Sequence, residues 1–260
     1  MSSEIYTPEE MMIVTAARLL ENDDVVFIGI GLPSKAASLA RLTHAPGIAL
    51  IYESGPLDTA PEVLPLSIGD GELSRTAKAV VSVPEMFNYW LQGGRIRTGF
   101  LGAAQIDRFG NLNSTVIGDY RAPKVRLPGA GGAPEIASFC SRTLVMLQQN
   151  PKTFVDAVDF VTTAGFLRGG DARERLRVPG RGPVAVITDL GVLEPHPDSH
   201  ELVLTKVHPG VSQEMVFKAT GWPLQTADVV GETQPPTAVE MRVLRSLRTA
   251  MPAGPMVGVA

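Results

Sequence analysis

Only one cysteine, Cys140, occurs in the 260-residue chain, so no internal disulfide can form. The four histidines, His44, His196, His200 and His208, are scattered and give no Cys/His spacing of the kind that holds structural zinc, so no metal site is expected. Charge is scarce at 19 %, and 23 basic against 27 acidic side chains leave a formal net charge of −4, with no basic footprint for nucleic acid. Long hydrophobic runs are missing as well. The apolar stretch 25–32 falls far short of the roughly 18 residues that suggest a membrane span, so no membrane partner is expected. The first residues, Met1-Ser2-Ser3-Glu4-Ile5, carry acid where an export signal needs base, and a cytoplasmic location is the expectation.

What is present is a 44 % hydrophobic complement, enough for a sizeable core, with 26 glycines and 21 prolines that imply many tight turns. Thr7, Pro8, Glu9 and Glu10 read as a helix start: a capping hydroxyl, a proline suited to the first position, and acids that complement the dipole. Met12, Ala16, Leu19 and Leu20 then share a face, with Asn22 as the stop. The runs 25–28 and 47–52 read as buried strands, with a glycine turn and a helix over 35–41 between them. Further strands are expected at 77–83, 96–101, 143–147, 157–162 and 184–188, with a late surface strand at 201–206. Helices are expected at 84–91, 133–142, 212–220 and 236–248, and a turn at 107–111. Strand, turn, helix, strand is the alternation of parallel α/β units. The expected fold is one α/β domain over 1–260, an open and mostly parallel sheet covered by helices.

In such sheets ligands gather beyond the carboxyl ends of the strands, which singles out three loops. The first, 29–34, has Gly29 and Gly31 after a strand, and Glu53 ends the next strand about twenty residues on, as in a dinucleotide site. Against that oxidoreductase reading, Ser34 stands where a third glycine should be, and Pro33 removes an amide from the turn. The second loop presents Glu53, the carboxylate set directly at the end of a wholly apolar strand. Held there, it is either a solvated strand end or a nucleophile toward an activated acyl group. The third, 129–133, precedes a helix with small residues whose bare amides either bind an anion or oxyanion or simply supply turn geometry. The polar stretch holding Asn111, Asn113, Ser114, Thr115, Asp119 and Tyr120 lines a pocket or satisfies a turn. Arg97, Arg121 and Lys124 are carboxylate-binding candidates or solvated charges.

Several ordered blocks carry a resemblance: Tyr52-Glu53-Ser54-Gly55, Gly102-Ala103-Ala104-Gln105-Ile106-Asp107, Gly110-Asn111-Leu112-Asn113 through Gly118-Asp119-Tyr120, and Gly129-Ala130-Gly131-Gly132-Ala133. Together they resemble the β subunits of glutaconate CoA-transferases, in the class I CoA-transferase family. The similarity runs over most of the chain and takes in Gly29 to Pro33, Arg173 to Leu176 and Thr188 to Leu193. The resemblance implies an open α/β domain that joins an α-type subunit of similar fold, with the active site at their interface, in a higher oligomer of heterodimers. It implies Glu53 as the nucleophile, passing through an acyl anhydride and a glutamyl-CoA thioester. Coenzyme A is then a substrate, moved to a small carboxylic or dicarboxylic acid such as glutaconate, and no resident cofactor is needed. Gly131, Gly132 or Ala133 then supplies the oxyanion donor in the glycine loop, and Gly29, Gly31, Ser54, Gly55, Gln105 and Asn113 become candidate pocket residues. Family members that hydrolyse or decarboxylate acyl-CoA lack the glutamate, so its retention favours transfer. Pro56, Leu57 and Thr59 after Glu53, and Pro134 and Glu135 after the glycine loop, depart from the pattern and bear on the substrate rather than the reaction.

Overall fold

The computed structural model describes residues 6–249. Its first helix, Pro8–Arg18, opens on a capping box in which the Thr7 hydroxyl accepts from the Glu10 N–H at 3.1 Å and the Glu10 carboxylate accepts from the Thr7 N–H at 2.8 Å. It stops four residues before Asn22, whose side-chain oxygen instead accepts from the Gly47 N–H. Eight strands build the main sheet: β1 (Val25–Phe27), β2 (Ala49–Ile51), β3 (Thr98–Leu101), β4 (Arg142–Met146), β5 (Pro183–Ile187), β6 (Gly191–Pro195), β7 (Leu202–Val207) and β8 (Gln225–Glu232). The order is β8-β7-β6-β5-β4-β3-β1-β2, every pairing parallel except the two made by β6. This is the open, mostly parallel α/β sheet expected from the alternation.

Both faces of the parallel strands are apolar, which is why they read as continuous hydrophobic runs. Alternate residues enter two separate cores. Val26, Ile28, Leu50, Tyr52, Phe100, Leu144 and Ile187 pack with the helices Pro8–Arg18 and Leu32–Leu42. Phe27, Ile51, Leu101, Val145 and Val186 pack with Met86, Leu91 and Ile136 on the other side. Because β1 lies between β2 and β3, the chain turns one way from β1 to β2 and crosses to the other side for β3. That reversal is a topological switch point, and in open α/β sheets ligands bind beyond the carboxyl ends of the strands that flank it, here β1 and β3.

Four expectations are corrected. Residues 157–162 form no strand; the segment is irregular between the isolated bridges at Phe154 and Thr163, and Asp156 and Asp159 are taken up in side-chain bonds to Arg108 and Gln105. The strand over 201–206 is not at the surface: Leu202 and Leu204 are fully buried because they enter the core that also holds Phe154, Leu193 and Trp222, and β8 pairs along the outer edge of β7. Of 77–83 only Ala79–Val80 pairs, with Pro56–Leu57. Residues 84–91 form one α-turn, Val83–Glu85, continued as a π-helix over Met86–Leu91. Among the described residues no helix is long and apolar enough to cross a membrane.

Beyond the carboxyl ends of β5 and β7 lies a buried polar cluster. The His208 ring shares hydrogen bonds with the Thr233 hydroxyl and the Thr188 carbonyl, both at 2.8 Å, and Asp189 is the neighbouring charge. Desolvation outweighs the Thr188 and Asp189 contributions and lowers the imidazole pKa below 6.5. The folded chain thus favours neutral His208, whereas the unfolded chain takes up the proton more readily. This stabilisation is complete above pH 6.5 and is lost as pH falls from there through the lowered folded value. Urea midpoints measured across that interval should therefore decline more steeply in the wild type than in His208→Gln; parallel profiles would remove His208 as the cause.

Candidate active site

The three loops singled out from the sequence converge. After β1 the chain turns at Gly31, whose φ of +90° suits glycine, and enters the helix Leu32–Leu42. Ser34 in its first turn donates to the Gly29 carbonyl at 2.8 Å and lies 3.2 Å from the Tyr52 hydroxyl. Tyr52 is fully buried, and desolvation raises its pKa, so it stays a neutral hydrogen-bonding anchor. The first loop is thereby tied to the residue directly before Glu53.

Glu53 is half-buried in a turn closed by the Gly55 N–H on the Tyr52 carbonyl at 3.0 Å. Its carboxylate makes no hydrogen bond to any described residue, in contrast to the paired acids elsewhere in the fold. The side chains after it are occupied. The Ser54 hydroxyl donates to the Ile68 carbonyl, and Gly55, at φ +112°, lies so close to the next segment that a Cβ there would sit 2.0 Å from the Val81 carbonyl oxygen. Ser54 and Gly55 thus fix the turn that presents Glu53.

The third loop meets this turn directly. A Cβ built on Gly132 would lie 3.2 Å from Glu53 Oε1 and 2.6 Å from the Phe87 ring. Gly132 caps the helix Ala133–Phe139 without a side-chain bond. The N–H groups of Gly131 and Gly132 make no hydrogen bond to any described residue, while that of Ala133 is committed to the Ala130 carbonyl at 3.0 Å. Of the three alternative donors, the Ala133 amide is taken up by the tightening of the first helical turn, while those of Gly131 and Gly132 have no partner among the described residues. Nothing lies within 4 Å of a Cβ at Gly29, Gly31 or Gly131, so these glycines border open space.

Gln105 and Asn113 do not serve as pocket walls. Both are buried, and Asn113 donates to Gln105 Oε1 and to the Val116 carbonyl, each at 2.7 Å, while Gln105 donates to Asp159 at 3.1 Å. Their amides satisfy buried polar groups instead. Arg97 belongs to the opposite end of the sheet, paired with Glu21, Asp23 and Asp24. Cys140 ends the helix Ala133–Phe139 in the core, where burial pushes its thiol up to about 12, far from the thiolate a nucleophile needs. A cavity of about 720 Å³ lies elsewhere, beside the first helix, lined among others by Met12, Lys35 and Leu244.

Phe87 is the site residue that sequence patterning missed. It rides on the π-helix Met86–Leu91, where the Gln92 N–H reaches back five residues to the Phe87 carbonyl at 2.8 Å. Its ring packs on Phe27, with centroids 6.3 Å apart, and fills the space that a side chain at Gly132 would enter. The local signal was the run Met86, Phe87, Trp90 and Leu91, too apolar for a solvated helix.

Residues 9–219 match the family described as Coenzyme A transferase. The chain is 58 % identical over 255 residues to the β-type subunit of 3-oxoadipate CoA-transferase from Pseudomonas knackmussii, covering 97 % of this chain and 98 % of that protein. It is 38 % identical over 247 residues to the β-type subunit of glutaconate CoA-transferase from Acidaminococcus fermentans, covering 92 % and 91 %. The crystal structure of the Acidaminococcus fermentans glutaconate coenzyme A-transferase superposes with a TM-score of 0.88 at 36 % identity over 94 % of this chain and 95 % of that one.

Proposed function

The chain belongs to the coenzyme A transferase family, and from that premise we propose that it is the nucleophile-bearing subunit of a two-subunit enzyme that moves coenzyme A between dicarboxylic acids. The observation that carries this reading is the pairing of an unbonded Glu53 carboxylate with two unpaired backbone N–H groups at Gly131 and Gly132.

In the proposed cycle Glu53 attacks the thioester carbonyl of an acyl-CoA, and CoA thiolate leaves as the acyl-glutamyl anhydride forms. The thiolate returns to the glutamyl carbonyl and expels the first acid as its carboxylate. An acceptor carboxylate then attacks the resulting glutamyl-CoA thioester, and thiolate opens the second anhydride on its acyl side, restoring Glu53. One negative charge passes through every step, so the cycle asks for no proton relay and no resident cofactor. Each tetrahedral intermediate concentrates that charge on an oxygen, and the unpartnered amides of Gly131 and Gly132 support this loop as its proposed receiver. The open space beside Gly29 and Gly31 is the proposed seat of the acyl group.

Both of these relatives are named as one of two kinds of subunit, which supports an α-type partner completing this open site. The higher identity to the 3-oxoadipate relative favours 3-oxoadipate over glutaconate as the acid handled. The test is a covalent trap: the chain assembled with its α-type subunit is mixed with 3-oxoadipyl-CoA, quenched with borohydride and mapped by mass spectrometry. Reduction confined to Glu53 is the expected result. Thioester turnover with Glu53 unmodified would replace transfer by hydrolysis or decarboxylation.

A further inference from the structure

We propose that the hairpin formed by Val116–Gly118 and Pro123–Arg126 is the phosphate-binding subsite for coenzyme A, with Arg121, Lys124 and Arg126 as its cations. The inference rests on the transferase reading for the identity of the ligand, while the hairpin itself supplies the charge. Arg121, Lys124 and Arg126 are all exposed, and none has a carboxylate partner among the described residues. Elsewhere the fold pairs its arginines freely, as Arg18 with Glu240 and Arg142 with Asp24.

The two acids on or against the hairpin are turned to other work. Asp119 accepts from the backbone N–H groups of Arg121 at 2.7 Å and Ala122 at 3.1 Å, which shapes the tip without an ion pair to any of the three cations. Asp159 accepts from the Gly118 N–H at 2.9 Å and from Gln105 at 3.1 Å, which pins the base. This gives the buried Gln105–Asn113 pair a purpose, since through the exposed Asp159 it anchors the base of the hairpin to the folded interior.

The side chains are also preorganised. Tyr120 stacks on Phe160 with centroids 5.3 Å apart, and the Arg126 guanidinium lies 4.8 Å from the Tyr120 ring and donates to the Tyr120 carbonyl at 2.8 Å. The pairing register shifts between Pro123 and Val125, an irregularity that re-aims the intervening Lys124. The Lys124 stem lies against Gly118, where a Cβ would meet its Cγ at 3.2 Å. Held cations lose less freedom on binding an anion than free ones do.

Position supplies the last element. Arg126 is followed by the loop that reaches Gly132, and six residues span at most about 20 Å. The hairpin therefore lies within the reach of the extended pantetheine arm, which separates the reacting sulfur of CoA from its diphosphate and 3′-phosphate. With the thioester at Glu53 and the arm directed along the loop 127–132, the phosphates come within range of the hairpin cations. Remote binding energy of this kind is what drives strain and desolvation at the reacting carbon.

The test uses the enzyme assembled with its α-type subunit, in the wild type, in Lys124→Gln and in the triple variant Arg121→Gln/Lys124→Gln/Arg126→Gln, with assembly verified by co-purification. Calorimetry gives the CoA and dephospho-CoA affinities, and kinetics give kcat/KM for an acyl-CoA and for the matching acyl-pantetheine. The triple variant should weaken CoA binding and lower kcat/KM for acyl-CoA by at least about tenfold, with acyl-pantetheine changed less than about twofold. Lys124→Gln should fall between, and raised salt should weaken CoA binding more in the wild type than in the triple variant. Dephospho-CoA as sensitive as CoA would assign the hairpin to the diphosphate, and a smaller response would assign it to the 3′-phosphate. Equal losses with both thioesters, or no loss of CoA affinity, would overturn the subsite. A wild-type complex that binds CoA without transferring it would overturn the transferase reading instead and leave the affinity comparison decisive for the hairpin. If the triple variant does not co-purify, Lys124→Gln carries the same comparison alone.

Discussion

Glu53→Gln in the assembled enzyme is expected to lower the transfer rate by at least about 10⁴-fold, the scale of loss seen when a covalent nucleophile is removed. Folding should be nearly untouched. The glutamate side chain makes no hydrogen bond to any described residue, and the turn that presents it is held by the Tyr52 carbonyl, the Gly55 amide and Ser54. Stability should change by no more than about 0.5 kcal/mol, as at surface positions without a structural role. Glu53→Asp separates charge from position: the nucleophile remains but retreats by one methylene from the glycine loop at Gly132. A misplacement of that size costs on the order of 10²-fold, so the aspartate variant should sit well above the glutamine variant. Chemical quench with acyl-CoA, followed by peptide mapping, adds a direct readout. Near-normal transfer by Glu53→Gln would move the nucleophile elsewhere and take the anhydride cycle with it.

What the sequence made legible here follows from how each feature is encoded. The turn at Glu53 was readable because an all-apolar strand ends abruptly at a charged residue, and burial of both faces of β2 enforces that apolarity. The glycine loop was readable because turn backbone at Gly129 and Gly131 requires positive φ, which glycine advertises. Their convergence was not readable, since it depends on strand order: β2 and the helix Ala133–Phe139 are brought together by sheet pairings far apart in sequence. The role of Phe87 escaped because a π-helical turn changes the phase of a helix, and a 3.6-residue period assigns its faces wrongly. The edge strand β8 escaped for another reason. Most of it is exposed, with Val229 at 83 %, so it carries no apolar alternation. Gln105 and Asn113 looked like pocket residues because a buried amide pair and a ligand-facing one have the same composition.

Gly132→Ala is expected to cost about 10²- to 10³-fold in kcat, the range for losing an oxyanion donor, with little change in KM for acyl-CoA. The penalty comes from contact and not from backbone angle. Gly132 has φ −85° and ψ 3°, which alanine adopts without difficulty, yet its Cβ would stand 2.6 Å from Phe87 Cζ and 3.2 Å from Glu53 Oε1. Either the ring or the loop must move, and the loop carries both free amides. Gly131 has the reverse problem, with nothing within 4 Å of a Cβ but φ at +50°, so Gly131→Ala meets a conformational cost of about 1–2 kcal/mol and no clash. The two variants should therefore separate, Gly131→Ala losing stability with modest loss of kcat, Gly132→Ala losing kcat most. Phe87→Leu gives way on the crowded side. Combined with Gly132→Ala it should restore part of the lost turnover, since the methyl then fits without displacing the amide. Additive losses in that double variant would show that the ring is not what the new methyl strikes, and an unchanged kcat in Gly132→Ala alone would remove this loop from the chemistry of Glu53.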